Sequence, residues 1–209
     1  MRKAVTGGFT LVEMAVVITI IALLMLLVFK GESLIGTGRS QQVLAAVKDL
    51  STAVDQFRAR YNYLPGDMPD ATTRLPNVSS CNTVTLTGNG NGDGQVDFNA
   101  GNNEVGCVTE HLFRAGLIRS NAAITLTTSK GIITIRVIGR VADGSALALS
   151  FPSSTRNLIE VLNVPCQIAQ DLDAKTDDGN FASGNTRASV ASCTVDGAND
   201  PVAVVALAL

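Results

Sequence analysis

The sequence predicts an α+β protein in which a long N-terminal helix, apolar in its first half and amphipathic in its second, carries an antiparallel-sheet globular head. Three observations predict it: an apolar block over residues 9–29, a four-and-three spacing of apolar residues over 43–61, and several short β-branched stretches beyond residue 80. A chain of 209 residues can bury one sizeable core. The formal charge of −2, with no visible cluster of Lys and Arg in the sequence, argues against a nucleic-acid partner, because duplex binding rests on phosphate neutralisation. With no Trp, two Tyr and one His, residues for stacking and proton transfer are scarce.

The apolar block contains one charged side chain, Glu13. Its twenty-one residues would span roughly 32 Å as a helix, close to the hydrocarbon thickness of a bilayer. Arg2 and Lys3 precede it, and Lys30 and Glu32 follow, so the positive-inside bias places the N-terminus in the cytoplasm. A secretory signal carries small residues after its apolar run, and the run is discarded. Here the small pair Gly7-Gly8 stands before the run, so that cleavage there would leave the anchor attached. An ionisable group in such a segment costs about 2.5 to 3.5 kcal/mol at a helix centre and less near an end, so Glu13 is expected to have a partner or to reach the headgroups.

After Gly31, Gly36 and Gly38, which read as a joint, apolar residues recur at Val43, Val47, Leu50, Val54, Phe57 and Tyr61. Lys48, Asp49, Asp55, Arg58 and Arg60 are left for water. Leu64-Pro65-Gly66 supplies the stop. In the head, strands are expected over residues 83–87, 123–128, 132–138, 146–151, 188–195 and 202–208, with Ser129-Lys130-Gly131 as a hairpin turn. Short helices are expected over 109–117 and 154–163, the second capped by Ser153 or Ser154. The domain division is 1–8, 9–30, 31–64 and a head over 65–209.

Four cysteines permit three connectivities. The sequential one, Cys81 with Cys107 and Cys166 with Cys193, staples two polar segments with little core of their own. Free buried thiols and a zinc site are the other readings, the latter lacking any C-x-x-C pair.

Two segments offer oxygen donors to calcium. Asn89, Asn91, Asp93, Gln95 and Asp97 follow the spacing of a calcium loop, with Gly94 at the sharp turn. Ala100 stands where a bidentate Glu is expected, and Glu104 is a candidate substitute. A metal-free Asn/Gly turn explains the same residues. The second segment holds Asp171, Asp173, Asp177 and Asp178, of which the last two also read as turn and cap residues. No nucleophile elbow or phosphate-binding loop is present, and His111, on a short amphipathic helix, reads as a surface or partly buried side chain. An enzyme is not expected.

The stretch Gly8-Phe9-Thr10-Leu11-Val12-Glu13-Met14, followed at once by the apolar run, resembles the leader junction of type IV pilins and type II secretion pseudopilins. That resemblance implies cleavage between Gly8 and Phe9 by a membrane prepilin peptidase and methylation of the new Phe9 amine. It makes residues 1–8 a leader peptide, and it makes Glu13 the assembly residue that meets a neighbour's N-terminal amine. The segment 9–30 would be a transmembrane helix before assembly and filament core afterwards. Further partners implied are membrane lipid, other pilin-like subunits in a filament, and an inner-membrane assembly platform with a cytoplasmic ATPase. The implied location is the bacterial inner membrane, single-pass with a periplasmic head, and then a pilus or pseudopilus. Residues 57–69 (FRARYNYLPGDMP), 88–94 (GNGNGDG), 110–118 (EHLFRAGLI) and 169–179 (AQDLDAKTDDG) resemble blocks in a subset of bacterial prepilin-type proteins. Many members carry a proline near the membrane end of the helix; this chain has none before Pro65. The expected function is a structural filament subunit. The alternatives are a minor tip subunit that binds a surface, a secreted substrate or DNA, and a membrane-anchored calcium-binding domain that does not polymerise.

Overall fold

The computed structural model describes residues 10–128, 131–143, 145–190, 192–193 and 202–209. The protein is α+β, with a helical N-terminal part and one five-stranded antiparallel sheet. By contacts it divides into two units, Met1–Gly38 and Arg39–Leu209.

Helix α1 is Leu11–Tyr61. The glycine segment expected to be a joint has helical backbone within it, since neighbouring Leu, Ile and Glu offset the roughly 1 kcal/mol propensity deficit of each glycine. In the first unit the described side chains, residues 10–26, are all exposed. Among the described residues no helix is long and apolar enough to cross a membrane. The expected span 9–29 overlaps the described side chains over 10–26, of which 11–26 make about 24 Å of helix.

The second unit is built on residues 39–61 of α1. Val43, Val47, Leu50, Val54 and Phe57 are buried, as is Ala53, whereas Lys48, Asp49, Asp55, Arg58 and Arg60 are exposed. The stripe meets Ile133, Ile135 and Val137 of β2 (Gly131–Gly139), Ile159 and Val161 of β3 (Asn157–Pro165), and Val205 and Leu207 of β5 (Val202–Ala208) in one core. The helix ends at Asn62, whose φ of 63° breaks the helical path before Leu64-Pro65.

The sheet order is β1-β2-β3-β5-β4, with β1 at Ile124–Thr128 and β4 at Thr186–Ala188. β1 and β2 pair antiparallel with Thr128 opposite Gly131, and Ser129 and Lys130 of the expected hairpin lie outside the described residues. On the other face of the sheet, Ile138, Leu158 and Ala206 pack with Ala148 and Phe151. Arg136 stands opposite Glu160 on adjacent strands, and its Nη2 lies 2.7 Å from the buried carboxylate. Between Val161 and Val164 the β3/β5 register shifts at a bulge, where Asn163 takes a φ of 59°.

Several expected elements differ. Residues 154–163, expected as a helix, give way to β3, which is buried along Asn157–Val161 on both faces, so that its apolar residues do not alternate with exposed ones. Residues 146–151, expected as a strand, form α5 (Ala146–Ser150), because Ala and Leu are strong helix formers and Ser145 caps the start by accepting from the Ala148 amide at 3.0 Å. Residues 83–87 are a turn: Asn82 Oδ1 accepts the amides of Val84 and Thr85, and Leu86 has a φ of 56°. Of the strand expected over 188–195, Ala188 ends β4, which begins earlier at Thr186; residues 191, 194 and 195 lie outside the described residues. Helix α3 is Val105–Arg114, near the expected 109–117. Helices α2 (Ala71–Arg74), α4 (Arg140–Asp143) and α6 (Cys166–Thr176) were not among the expected elements.

Candidate functional site

Three places hold the sequence's candidate residues. At the start of α1, Gly8 and Phe9 lie outside the described residues. Glu13 is exposed, and its Oε2 accepts from both the amide and the hydroxyl of Thr10 at 2.8 Å, while Thr10 Oγ1 accepts from the Glu13 amide at 3.3 Å. This reciprocal pair is a capping box, T-x-x-E, which satisfies two of the free donors at a helix start. The carboxylate expected to need a partner has one within its own chain. Around it, Leu11 is 91 % exposed and Ile18 65 %, an apolar helical surface with no partner among the described residues of the unit.

The second place is the Asn/Gly loop. Asn91 Nδ2 donates to Asp97 Oδ2 at 3.0 Å and toward Asp93 Oδ2 at 3.4 Å, so these three candidate ligands converge. Asn89 does not join them: its Oδ1 accepts from the Thr72 amide. The Gln95 amide bonds Asp93 Oδ1. What organises the loop is a pair of buried carboxylates, one considered at sequence level only as a stand-in ligand and the other not considered. Glu104 accepts from the amides of Asn91 and Asp97 and from Asn102 Nδ2, at 2.7, 3.0 and 2.8 Å. Asp67 accepts from the amides of Gly92 and Gly94, at 2.8 and 2.9 Å. Gly90 permits the approach, since a Cβ there would sit 2.3 Å from the Asp67 carbonyl carbon. Burial pushes the Asp67 carboxyl up to about 6, against the Gly94 and Gly92 amides, and Glu104 up to about 7, with the Asp67 charge adding to the rise. These carboxylates tie the loop's amides down much as an ion with its ligands would.

His111 belongs to the same scaffold, and the structure corrects its expected surface or partly buried placement. It is fully buried, with Nδ1 accepting from the Gly66 amide at 2.9 Å and Nε2 2.8 Å from the Gly88 carbonyl. Burial holds its pKa down, against the pull of the Gly88 carbonyl and Glu110, so the neutral imidazole bridges the two loops. Beside it Glu110 is held down to about 2: burial alone would raise it, but the Ser79 amide, Asn121 and Arg114 outweigh that. The disulfides pair Cys81 with Cys107 and Cys166 with Cys193, the sequential connectivity expected from the sequence. Because Cys81 and Cys107 are bonded and both His111 nitrogens are engaged, their proximity is no metal site.

The third place is the turn after α6. Asp173, Asp177 and Asp178 each bring a carboxylate oxygen within 4.8 Å of the others, whereas Asp171 stands outside the group. Burial, and then the charges of Asp178 and Asp177, push Asp173 up to about 6.

Comparison with family models, with curated proteins and with solved structures found no match. The functional reading rests on these three places and on the residues of the leader junction.

Proposed function

We propose that the chain is a type IV pilin-like or pseudopilin-like filament subunit, cleaved after Gly8, methylated at Phe9, and held in the bilayer by residues 9–29 until it assembles through its N-terminal helix. The observation that carries this reading is the exposed apolar surface of residues 11–26, which contains Glu13 as its one charged group and follows directly on the Gly8-Phe9 junction. Such a surface needs lipid or copies of itself as solvent. Two disulfides in the head favour an oxidising compartment, consistent with a periplasmic or extracellular head. Glu13 Oε2 is taken by Thr10, and Oε1 is the oxygen available to a neighbour's N-terminal amine, a contact that fixes axial register between subunits.

Lipid already satisfies the apolar helix, so extraction from the membrane needs work supplied from elsewhere. The cytoplasmic ATPase of the assembly platform is the source in this reading. The test is co-expression of the full chain with a prepilin peptidase, followed by intact-mass measurement. Loss of residues 1–8 and a methyl group on Phe9 are expected; a persistently uncut chain, or a mature protein beginning downstream of the apolar helix, overturns the proposal. Glu13→Ala should still be cleaved yet fail to enter fibres. Thr10→Val, which removes the capping hydroxyl and keeps Glu13, should enter them.

A further inference from the structure

Asn-Gly occurs twice in the sequence, at Asn89-Gly90 and Asn91-Gly92, and Asp93-Gly94 follows at once. Each is a potential succinimide. The glycine amide nitrogen, unhindered by a side chain of its own, attacks the carbonyl carbon of the side chain before it. The ring closes as ammonia leaves asparagine, or water leaves aspartic acid, taking the amide proton with it. Water then opens the ring at either carbonyl and leaves aspartate or isoaspartate, with no oxidation or reduction. Asn91, Gly92 and Asp93 are exposed, so water reaches them.

All three nucleophiles are engaged. The Gly90 amide donates to the Met68 carbonyl at 2.8 Å, the Gly92 amide to both the carbonyl and Oδ1 of Asp67 at 2.8 Å, and the Gly94 amide to Asp67 Oδ2 at 2.9 Å. The side chains they would attack are held as well. Asn89 Oδ1 accepts from the Thr72 amide at 2.9 Å, Asn91 Oδ1 from the Asp93 amide at 3.0 Å, and Asp93 Oδ1 from the Gln95 amide at 2.8 Å. Ring closure requires the glycine nitrogen to leave its acceptor and turn to the preceding residue. The acceptors differ: Gly90 hangs on backbone alone, whereas Gly92 and Gly94 share the carboxylate of Asp67, which is 1 % exposed.

We propose that Asn91-Gly92 and Asp93-Gly94 form a latent modification site held shut by the Asp67 carboxylate, and that opening of this loop converts Asn91 to aspartate or isoaspartate. The change is one-way. Asn91 Nδ2 donates to Asp97 Oδ2 at 3.0 Å and toward Asp93 Oδ2 at 3.4 Å, and deamidation replaces that donor with a third carboxylate, so attraction becomes repulsion. The loop thereby records the time it has spent open. This site does not depend on the filament reading.

The test incubates the full chain in detergent at mildly alkaline pH, either folded or reduced and unfolded in guanidinium chloride. Deamidation and isoaspartate at residues 89, 91 and 93 are followed by peptide mapping with isoaspartate-specific fragmentation. Unfolded, Asn89 and Asn91 should react at similar rates; folded, both should react about a hundredfold or more slowly. Asp67→Ala, shown to be folded by circular dichroism and thiol counting, should raise reaction at Asn91 and Asp93 about tenfold over the unsubstituted chain, with Asn89 unchanged. If Asp67→Ala does not fold, hydrogen exchange of the unsubstituted chain decides, since its Gly92 and Gly94 amides should exchange about a hundredfold or more slowly than when unfolded. Deamidation of the folded chain at the unfolded rate, no rise in folded Asp67→Ala, an equal rise at Asn89, or unprotected Gly92 and Gly94 amides would each overturn the proposal.

Discussion

Glu104 sets the behaviour of the Asn/Gly loop, because it accepts three loop donors while sharing the interior with Asp67. Both carboxyls have folded pKa values raised above the usual carboxylate range, to about 6 and about 7, so between pH 4 and those values the folded state holds protons that the unfolded chain has released. Their contribution to stability is fully present below about pH 4 and is lost as pH rises through 6 to 7. Glu110 acts in the opposite sense: its depressed pKa of about 2 contributes above about pH 4 and is lost as pH falls toward 2. Urea midpoints measured in chelator should therefore fall between pH 5 and pH 8, and Glu104→Gln should flatten that fall; an equally steep profile in the variant would assign it elsewhere. Little of this was legible in the sequence. Asp67 and Glu104 lie far apart along the chain, and nothing local marks them as sharing one loop. The Thr10–Glu13 capping box was legible, being a local T-x-x-E pattern, but the apolar context drew attention to lipid and to neighbouring subunits instead.

At the scale of elements, α1 over residues 39–61 is what the four-and-three spacing describes, and its buried stripe carries the head. Phe57, fully buried with its ring 4.6 Å from Tyr61 and 6.2 Å from His111, is the central contact. Phe57→Ala should cost about 3 to 5 kcal/mol in chemical denaturation, against about 0.5 kcal/mol or less for Lys48→Ala on the wet face. Equal effects would mean that the stripe does not face the core. The misread elements share a cause. Short stretches such as Ala-Leu-Ala-Leu-Ser satisfy the strand alternation and the helix propensities at once, and the cap at Ser145, whose hydroxyl accepts the Ala148 amide, tips the balance toward α5. Asn157–Pro165 misleads in the other direction, because a central strand buried on both faces has no alternation to display. Its one charge, Glu160, looks like the wet side of a helix until Arg136 is found across the ladder.

For the whole molecule, the head's core, among the described residues, draws on residues from Val43 onward. A fragment comprising Arg39–Leu209 should therefore fold cooperatively in water without detergent, with both disulfides formed, as judged by circular dichroism and thiol counting. A molten fragment would show that residues before Arg39 are needed for folding.

The strand order has a consequence for biogenesis. β5 comes after β4 in the chain yet lies between β3 and β4. Until residues 202–208 have emerged, β3 keeps an open, strongly apolar edge and β4 has no strand to join. A nascent head therefore waits half-zipped, inviting annealing with other unfinished chains, and closure is a late event that depends on a distant part of the polypeptide arriving.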